Sequence, residues 1–274
     1  MQDPAQAPST PVPEAARGLW VREEIFTSSG YSDTTTRVMW LQTRGLYADL
    51  RVPADRPACA GALGFVDLSD ADLLALARVQ GFAGVLSVTG DVCLWRRDLD
   101  FQPPGETPDE ARIEIEGDRM AEFGLHAEYT EIWRRAAHST EPLIALQRQG
   151  HPAGLLVIAG NHFLEIEDRT TPLPPGATLE AIVAADLAAG RRDLAESRLT
   201  MRIDYGGVSG AGAPWTIALS TLPWREGVSL FVGQSPRYDT HTGDLTRGDG
   251  STWRLIDSTA STERLEALLG FAGA

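Results

Sequence analysis

The chain has 274 residues, and its 38 acidic and 24 basic side chains give it a formal net charge of −14. This acidic balance disfavours nucleic acid as a partner, because phosphate binding needs a basic face. Every basic residue is arginine, so chemistry that depends on a lysine amine, such as a Schiff base, is excluded. Two cysteines are too few for a disulfide scaffold, and no signal peptide or membrane-spanning run is visible. We therefore expect a soluble, cytoplasmic protein without membrane contact.

The first half of the chain predicts short strands joined by tight turns. Residues 1–17 are rich in Pro and Ala and are predicted to be a disordered lead-in to a β-barrel domain over residues 18–274. Ser69, as an N-cap followed by acidic residues, predicts a short helix over residues 70–79. Alternating side chains and turn residues predict strands at 34–43, 46–52, 82–88, 92–97, 111–116, 119–123 and 127–135.

The second half continues in the same way. Strands are predicted at 143–148, 155–159, 162–167, 198–205, 215–221, 228–232 and 252–256. Helices are predicted over 179–189, capped by Thr178, and over 261–269. The many short strands and the lack of a βαβ rhythm predict an all-β, mainly antiparallel fold. Because so many strands must close or split into packed sheets, we predict a barrel with two or three short helices, with two related halves, 18–139 and 140–274, left open.

Two segments of the first half resemble a known family. The stretch WLQTRGLYADLRVP, residues 40–53, is similar to the opening hairpin of the Hri1-like, lipocalin-type barrel family. The stretch EYTEIWRR, residues 128–135, is similar to the strand that ends the first half in that family. The resemblance implies a β-barrel of two related halves and a family without a settled biochemical activity. It supplies a fold and not a function.

No metal or other cofactor is predicted. The five histidines and two cysteines lack the spacing of zinc ligands, and no histidine is well placed as a haem ligand. The glycine-rich segment 206–212 has no phosphate-binding lysine and is predicted to be a loop over the barrel mouth. The acidic residues at 239, 244 and 249 do not match the spacing of a calcium loop.

The strand at 46–52 has two unlike faces. Its even positions are Leu, Ala, Leu and Val, whereas Tyr47, Asp49 and Arg51 share the other face. One interpretation places the polar face in solvent, with cross-strand ion pairs, and the apolar face in a core. The other interpretation packs the apolar face under the helices, so that the polar and aromatic groups line a cavity. The sequence leaves both interpretations open.

The cavity interpretation predicts a small-molecule site that acts as a cofactor-free lyase, isomerase or hydratase. Arg51 would bind a carboxylate or polarise a carbonyl, Glu131 or Asp49 would act as a base, and Tyr47 or Tyr129 would donate a proton. The predicted ligand-binding side chains, which are aromatic or polar, are Trp40, Gln42, Trp95, Arg97, His126 and Trp133. The alternatives are a non-catalytic, lipocalin-like binding protein and an interaction module with a solid barrel. A homodimer also stays open.

Overall fold

The computed structural model of the protein describes residues 12–208, 215–231 and 236–270. The strands before residue 136 are β1 (Gly18–Phe26), β2 (Ser32–Asp33), β3 (Arg37–Gln42), β4 (Leu46–Val52), β5 (Gln80–Thr89), β6 (Val92–Asp100), β7 (Glu110–Glu116), β8 (Arg119–Gly124) and β9 (Thr130–Arg135). The later strands are β10 (Leu143–Arg148), β11 (Gly154–Ala159), β12 (His162–Glu167), β13 (Arg202–Val208), β14 (Trp215–Ser220), β15 (Arg237–Asp239), β16 (Asp244–Thr246) and β17 (Thr252–Ser258). The α-helices of the described ranges are α1 (Asp70–Leu76), α2 (Leu179–Ala188), α3 (Arg192–Arg198) and α4 (Thr262–Leu269).

The first nine strands form a closed antiparallel barrel. Eight of them pair in the order β1-β3-β4-β5-β6-β7-β8-β9, β9 returns to pair with β1, and the short β2 lies beside β1. Closure satisfies the backbone groups that would otherwise stand at sheet edges. A β-bulge in β1 between Arg22 and Glu24, and another at Asp98 of β6, opposite Ala83 and Gly84 of β5, add local bends. The predicted all-β barrel is confirmed.

The remaining strands form a second antiparallel sheet in the order β14-β13-β12-β11-β10-β17-β16-β15. One face of this sheet has its own core, in which Phe163, Trp215 and Trp253 pack with Leu265 and Leu268 of α4. Ser261 caps α4 by accepting a hydrogen bond from the backbone N–H of Arg264. The helix therefore covers the face of the second sheet that points away from the barrel.

The other face of the second sheet packs against the outside of the barrel. Leu46 and Leu50 of β4 join Val157 of β11 and Leu164 of β12 in this core, to which α1, α2 and α3 also contribute. The apolar face of β4 therefore points out of the barrel, toward the second sheet. Because neighbouring residues of a strand point to opposite faces, the polar face of β4 points into the barrel. The interpretation with a solvated polar face does not fit this arrangement.

Residues 12–17 close one end of the barrel. The backbone N–H of Val12 donates to the carbonyl of Arg44 at 2.6 Å, and the indole N–H of Trp20 donates to the carbonyl of Ala16 at 2.9 Å. Val12 and Ala16 are buried in the same cluster as Trp20. This part of the predicted disordered lead-in is thus packed in the structure, because its small and branched side chains fill the barrel end. Residues 1–11 lie outside the described residues.

Several elements differ from those predicted. Strands β1, β2, β15 and β16 were not predicted, and α3 occupies residues just before and at the start of the strand predicted for 198–205. An i,i+4 ion pair between Arg192 and Glu196, 2.7 Å long, supports α3. Residues 228–231 make one isolated bridge, between Thr216 and Ser229, in place of a strand, and residue 232 lies outside the described residues. Of the predicted glycine-rich loop, 206–208 belong to β13 and 209–212 are also outside the described ranges.

Among the described residues, none of the helices is both long enough and apolar enough to cross a membrane.

Candidate functional site

The end of the barrel opposite residues 12–17 opens into a groove of about 680 Å³, here called the mouth groove. It lies between the connection from β6 to β7, residues 101–109, and the connection from β8 to β9, residues 125–129. Its walls include the side chains of Trp95, Arg97, Asp109, His126 and Tyr129. The mouth groove thus joins aromatic surface with groups of both charges.

A smaller space, the inner cavity, lies deeper in the barrel. It is lined by Trp40, Asp49, Arg51, Phe82, Trp95, Asp109, Glu122 and Trp133. Its volume of about 10 Å³ is close to the space that one water molecule needs. Trp40 stands edge-on to two other indoles, with ring centroids 5.6 Å from Trp95 and 6.0 Å from Trp133. The barrel interior is therefore nearly filled, and its free space is at the mouth.

Buried ion pairs surround Arg51. Its Nε donates to Asp49 at 2.9 Å, and its Nη1 lies 3.5 Å from Glu131. Arg22 donates to the same Glu131 at 2.6 Å and lies 3.3 Å from Asp33. Burial raises the pKa of Asp49, although the charge of Arg51 opposes the shift. Asp49 and Glu131 are each bound by an arginine, so both carboxylates balance arginine charge inside the barrel.

Glu122 differs from these carboxylates because it has no basic partner among the described residues. Glu122 lies on β8, faces the interior of the barrel and is directly opposite Glu131 of β9. Within the described ranges, the hydroxyl of Tyr129 is its hydrogen-bond donor, at 3.0 Å. Burial, reinforced by the charge of Glu131, raises the pKa of Glu122 well above its usual range. The pKa of Tyr129 is raised as well, by burial and by Glu122. Glu122 therefore holds its proton more strongly than an exposed carboxyl.

Gly124 makes room for Tyr129 at this position. A Cβ atom on Gly124 would lie 2.3 Å from Cε1 of Tyr129 and 2.4 Å from the carbonyl oxygen of Ala127. Real atoms do not approach so closely, so a side chain at 124 would displace the tyrosine ring. The glycine thus allows the Tyr129 hydroxyl to reach Glu122.

Arg97 lies on the boundary between the mouth groove and the barrel interior. Its guanidinium donates to Asp109 at 2.6 Å and to Asp100 at 3.2 Å, and it stacks 3.6 Å from the centre of the Phe82 ring. Near the groove rim, His126 is hydrogen bonded to Glu110 at 2.7 Å. The predicted ligand contacts Arg97 and His126 are thus already paired with carboxylates.

The structure brings most of the predicted site residues together. Four predicted residues, Trp40, Asp49, Arg51 and Trp133, line the inner cavity, and Trp95 lines both the cavity and the groove. The predicted residues that line the groove alone are Arg97, His126 and Tyr129. Glu131 lies beside the inner cavity through its contact with Arg51.

Two predicted residues lie elsewhere. Gln42 is at the closed end, where its amide donates to the carbonyls of Thr43 and Leu46, because the turn after β3 needs partners for its backbone. Tyr47, beside Gln42 in register, points inward, but its hydroxyl donates to the carbonyl of Arg96 at 3.3 Å and does not line the inner cavity or the mouth groove. In this geometry both side chains support the barrel structure, and neither is placed to transfer a proton or to contact a ligand at the mouth.

Sequence reasoning missed Glu122, Phe82, Asp109 and Arg22. A signal for Glu122 was present, since it alternates with Met120 in a predicted strand, and Met120 is an apolar residue that faces the core. Asp109 had no such signal, because it lies in a connection whose path depends on the closed barrel. In the described residues, no group of three or more His, Cys, Asp or Glu side chains is arranged to hold a metal ion.

Comparison with known proteins identifies a shared fold. No protein-family description matches the sequence, and no curated protein has a similar sequence. The crystal structure of an uncharacterized protein from Saccharomyces cerevisiae, YLR301w, superimposes with a TM-score of 0.53 at 13% identity, over 89% of this chain and 99% of that one. This chain has the fold of the yeast protein. The match supports the predicted resemblance to Hri1-like barrels at the level of architecture.

A second solved structure, a lipocalin-like protein from Bacteroides uniformis, covers 44% of this chain and 99% of its own at 12% identity. Its TM-score of 0.30 is too low to support an argument about function or detailed geometry. The functional argument therefore depends on the site itself.

Proposed function

We propose that the protein binds a small organic molecule in the mouth groove, with one end of the molecule directed toward the inner cavity. The observation that carries the proposal is that the groove and the cavity share Trp95 and Asp109 as lining residues, so the open groove adjoins the aromatic and charged interior. A groove of about 680 Å³ is within the range of roughly 300–1,000 Å³ typical of ligand sites.

The lining of the groove favours a ligand that is partly apolar. Trp95, Leu94, Pro104 and Pro108 offer apolar surface to the body of a molecule, while Tyr129 offers both a ring and a hydroxyl. The ion pairs around the groove would orient polar substituents, because charged groups that are already paired remain able to share further hydrogen bonds. The inner cavity, with room for about one water molecule, would take only a small terminal group.

A cofactor-free acid–base enzyme is the second candidate, and the position of Glu122 favours it. A carboxyl with a raised pKa that lines the inner cavity and contacts a tyrosine on the groove is suited to give a proton to a bound substrate. In this lyase, isomerase or hydratase reaction, Glu122 would be the acid and Tyr129 its partner. Arg51 would balance Asp49 and Glu131 and so keep the neighbouring charge constant.

The binding proposal can be tested by native mass spectrometry of the purified protein, followed by a thermal-shift screen of small aromatic and alicyclic compounds. Gly105 borders the groove, and a Cβ atom there would meet nothing within 4 Å, so Gly105→Trp should place an indole at the groove without a clash at Cβ. Gly64 is equally open but lies outside the groove, which makes Gly64→Trp the matched control.

We expect a ligand, either co-purified or found in the screen, to bind the wild-type protein and the Gly64 variant but not the Gly105 variant. Equal binding by all three proteins would show that the ligand does not occupy the groove. A wild-type protein that co-purifies with nothing and is stabilised by no compound would contradict the proposed function.

A further inference from the structure

Three buried polar atoms around the inner cavity have no hydrogen-bond partner among the described residues. They are the indole N–H groups of Trp40 and Trp133 and the Oε2 atom of Glu131. The side chains are almost fully buried, with exposures of 2% for Trp40 and 1% for the other two residues. Buried polar groups in folded proteins nearly always have a hydrogen-bond partner, so three of them without one around a single cavity indicate a missing binding partner.

The three atoms belong to one neighbourhood. Trp40 and Trp133 both line the inner cavity, and their ring centroids are 6.0 Å apart. Glu131 precedes Trp133 by two residues on the inward face of β9, and its other oxygen contacts Arg51, which also lines the cavity. A small group in the cavity would therefore lie against Trp40 and Trp133 and beside the ion pair between Arg51 and Glu131.

The unsatisfied set consists of two donors and one acceptor. A hydroxyl group has two lone pairs that accept and one O–H that donates, so it matches the set in number and kind. A carbonyl has nothing to donate to Glu131, and an ammonium has no lone pair for the indoles. A volume of about 10 Å³ admits a group of the size of one oxygen.

We propose that the inner cavity is a hydroxyl-binding site, which accepts the O–H group of an alcohol, phenol or sugar between Trp40, Trp133 and Glu131. This inference rests on the proposed function, because the body of the ligand would lie in the mouth groove and its hydroxyl would pass Trp95. It narrows the ligand to molecules that carry a terminal hydroxyl.

Trp20 provides a matched control for the two indoles. It is fully buried in the same barrel, but its N–H already donates to Ala16 at 2.9 Å, at the closed end. A hydroxyl bound in the inner cavity would therefore leave the Trp20 indole signal unchanged. Trp95, which lines both spaces, reports occupation of the groove itself.

The experiment follows the indole N–H resonances of the full-length protein, labelled with 15N-tryptophan, during titration with benzyl alcohol and with benzyl methyl ether. The two probes share an aromatic body, but only the alcohol can donate to Glu131, and the methyl group of the ether is too large for a cavity of about 10 Å³. We expect both probes to shift the Trp95 signal, and only the alcohol to shift the Trp40 and Trp133 signals. Trp133→Phe should raise the Kd of the alcohol about two- to tenfold, the usual effect of one neutral hydrogen bond, and leave that of the ether unchanged. Trp20→Phe should change neither value.

The outcomes separate the two proposals. Equal shifts of Trp40 and Trp133 by both probes, or a shift of Trp95 alone, would mean that no hydroxyl-specific contact forms in the inner cavity, and would overturn the hydroxyl site while leaving the groove in place. If neither probe shifts Trp95, the proposed function itself fails, and the inference fails with it. The wild-type titration gives this answer even if the Phe variants do not fold.

Discussion

Replacing Glu122 with Gln should stabilise the protein at neutral and alkaline pH and have little effect in acid. The pKa of Glu122 is raised in the folded protein above its ordinary value of 4.5, because the carboxyl is buried opposite Glu131. Between these two pKa values the folded protein keeps a proton that the unfolded chain releases, so the free energy of unfolding decreases as pH rises. The slope is at most about 1.4 kcal/mol per pH unit. Glutamine cannot ionise, and its carbonyl still accepts from Tyr129.

The measurement is urea unfolding, followed by tryptophan fluorescence, of the wild-type and Glu122→Gln proteins at several values between about pH 5 and pH 8. The stability advantage of the variant should grow with pH until the folded-state carboxyl ionises. Glu114→Gln is the matched control, because Glu114 lies on the neighbouring strand β7 but is exposed, and it should leave the pH dependence unchanged. A constant difference between wild type and Glu122→Gln at every pH would refute a raised pKa for Glu122.

Other substitutions probe the neighbouring structure. Gly124→Ala should displace Tyr129 and lower the free energy of unfolding by about 1–3 kcal/mol. Gly207→Ala is the control, because its Cβ would meet the nearest atom at 3.6 Å, and it should cost less than about 1 kcal/mol. An equal cost for both substitutions would contradict the packing argument. Glu165→Gln should cost about 3 kcal/mol near neutral pH, because Glu165 is fully buried and Arg247 loses the carboxylate that it contacts. Arg202 also loses this contact but keeps its ion pairs with Glu167 and Asp204. Burial alone would raise the pKa of Glu165, but the arginines lower it to about 2. The stability that Glu165 contributes is therefore present above about pH 4.5 and is lost as pH falls toward 2. Acid unfolding of the wild-type and Glu165→Gln proteins would reveal this loss. Tyr47→Phe removes one long hydrogen bond and should lower the free energy of unfolding by less than about 1.5 kcal/mol, while ligand binding stays intact. Loss of binding in this variant would show that Tyr47 belongs to the site.

Strand positions could be predicted from the sequence where the alternation is regular and a turn follows. The bounds of β4, β10 and β12 agree with their predicted ranges, because glycine or proline stands beside each of these strands. In β1 the bulge between Arg22 and Glu24 breaks the alternation, so no strand was predicted there. Local pattern therefore predicts a strand only where the pairing is regular.

Which face of a strand lies inside the barrel is not a local property. The alternation in β4 shows two faces, but the choice between them depends on β11 and β12 of the second sheet, which begin more than 100 residues later and cover the apolar face. The candidate site was partly predictable, because aromatic and charged side chains alternate on the strands that line it. Glu122 was overlooked since a carboxylate in a strand is more often exposed, and its burial follows from barrel closure.

The double burial of β4 also has a consequence for how this chain diverges over evolution. Six of its seven residues are buried and the seventh, Arg51, is half-buried, so the strand has no side where a substitution is free of packed neighbours. In β7, by contrast, exposed positions recur along the strand. We expect residues 46–52 to change more slowly than β7 among relatives of this chain. A search that weights the alternating apolar and polar pattern of this one strand should recover relatives that whole-chain identity, at 13% even for a protein of the same fold, does not reveal.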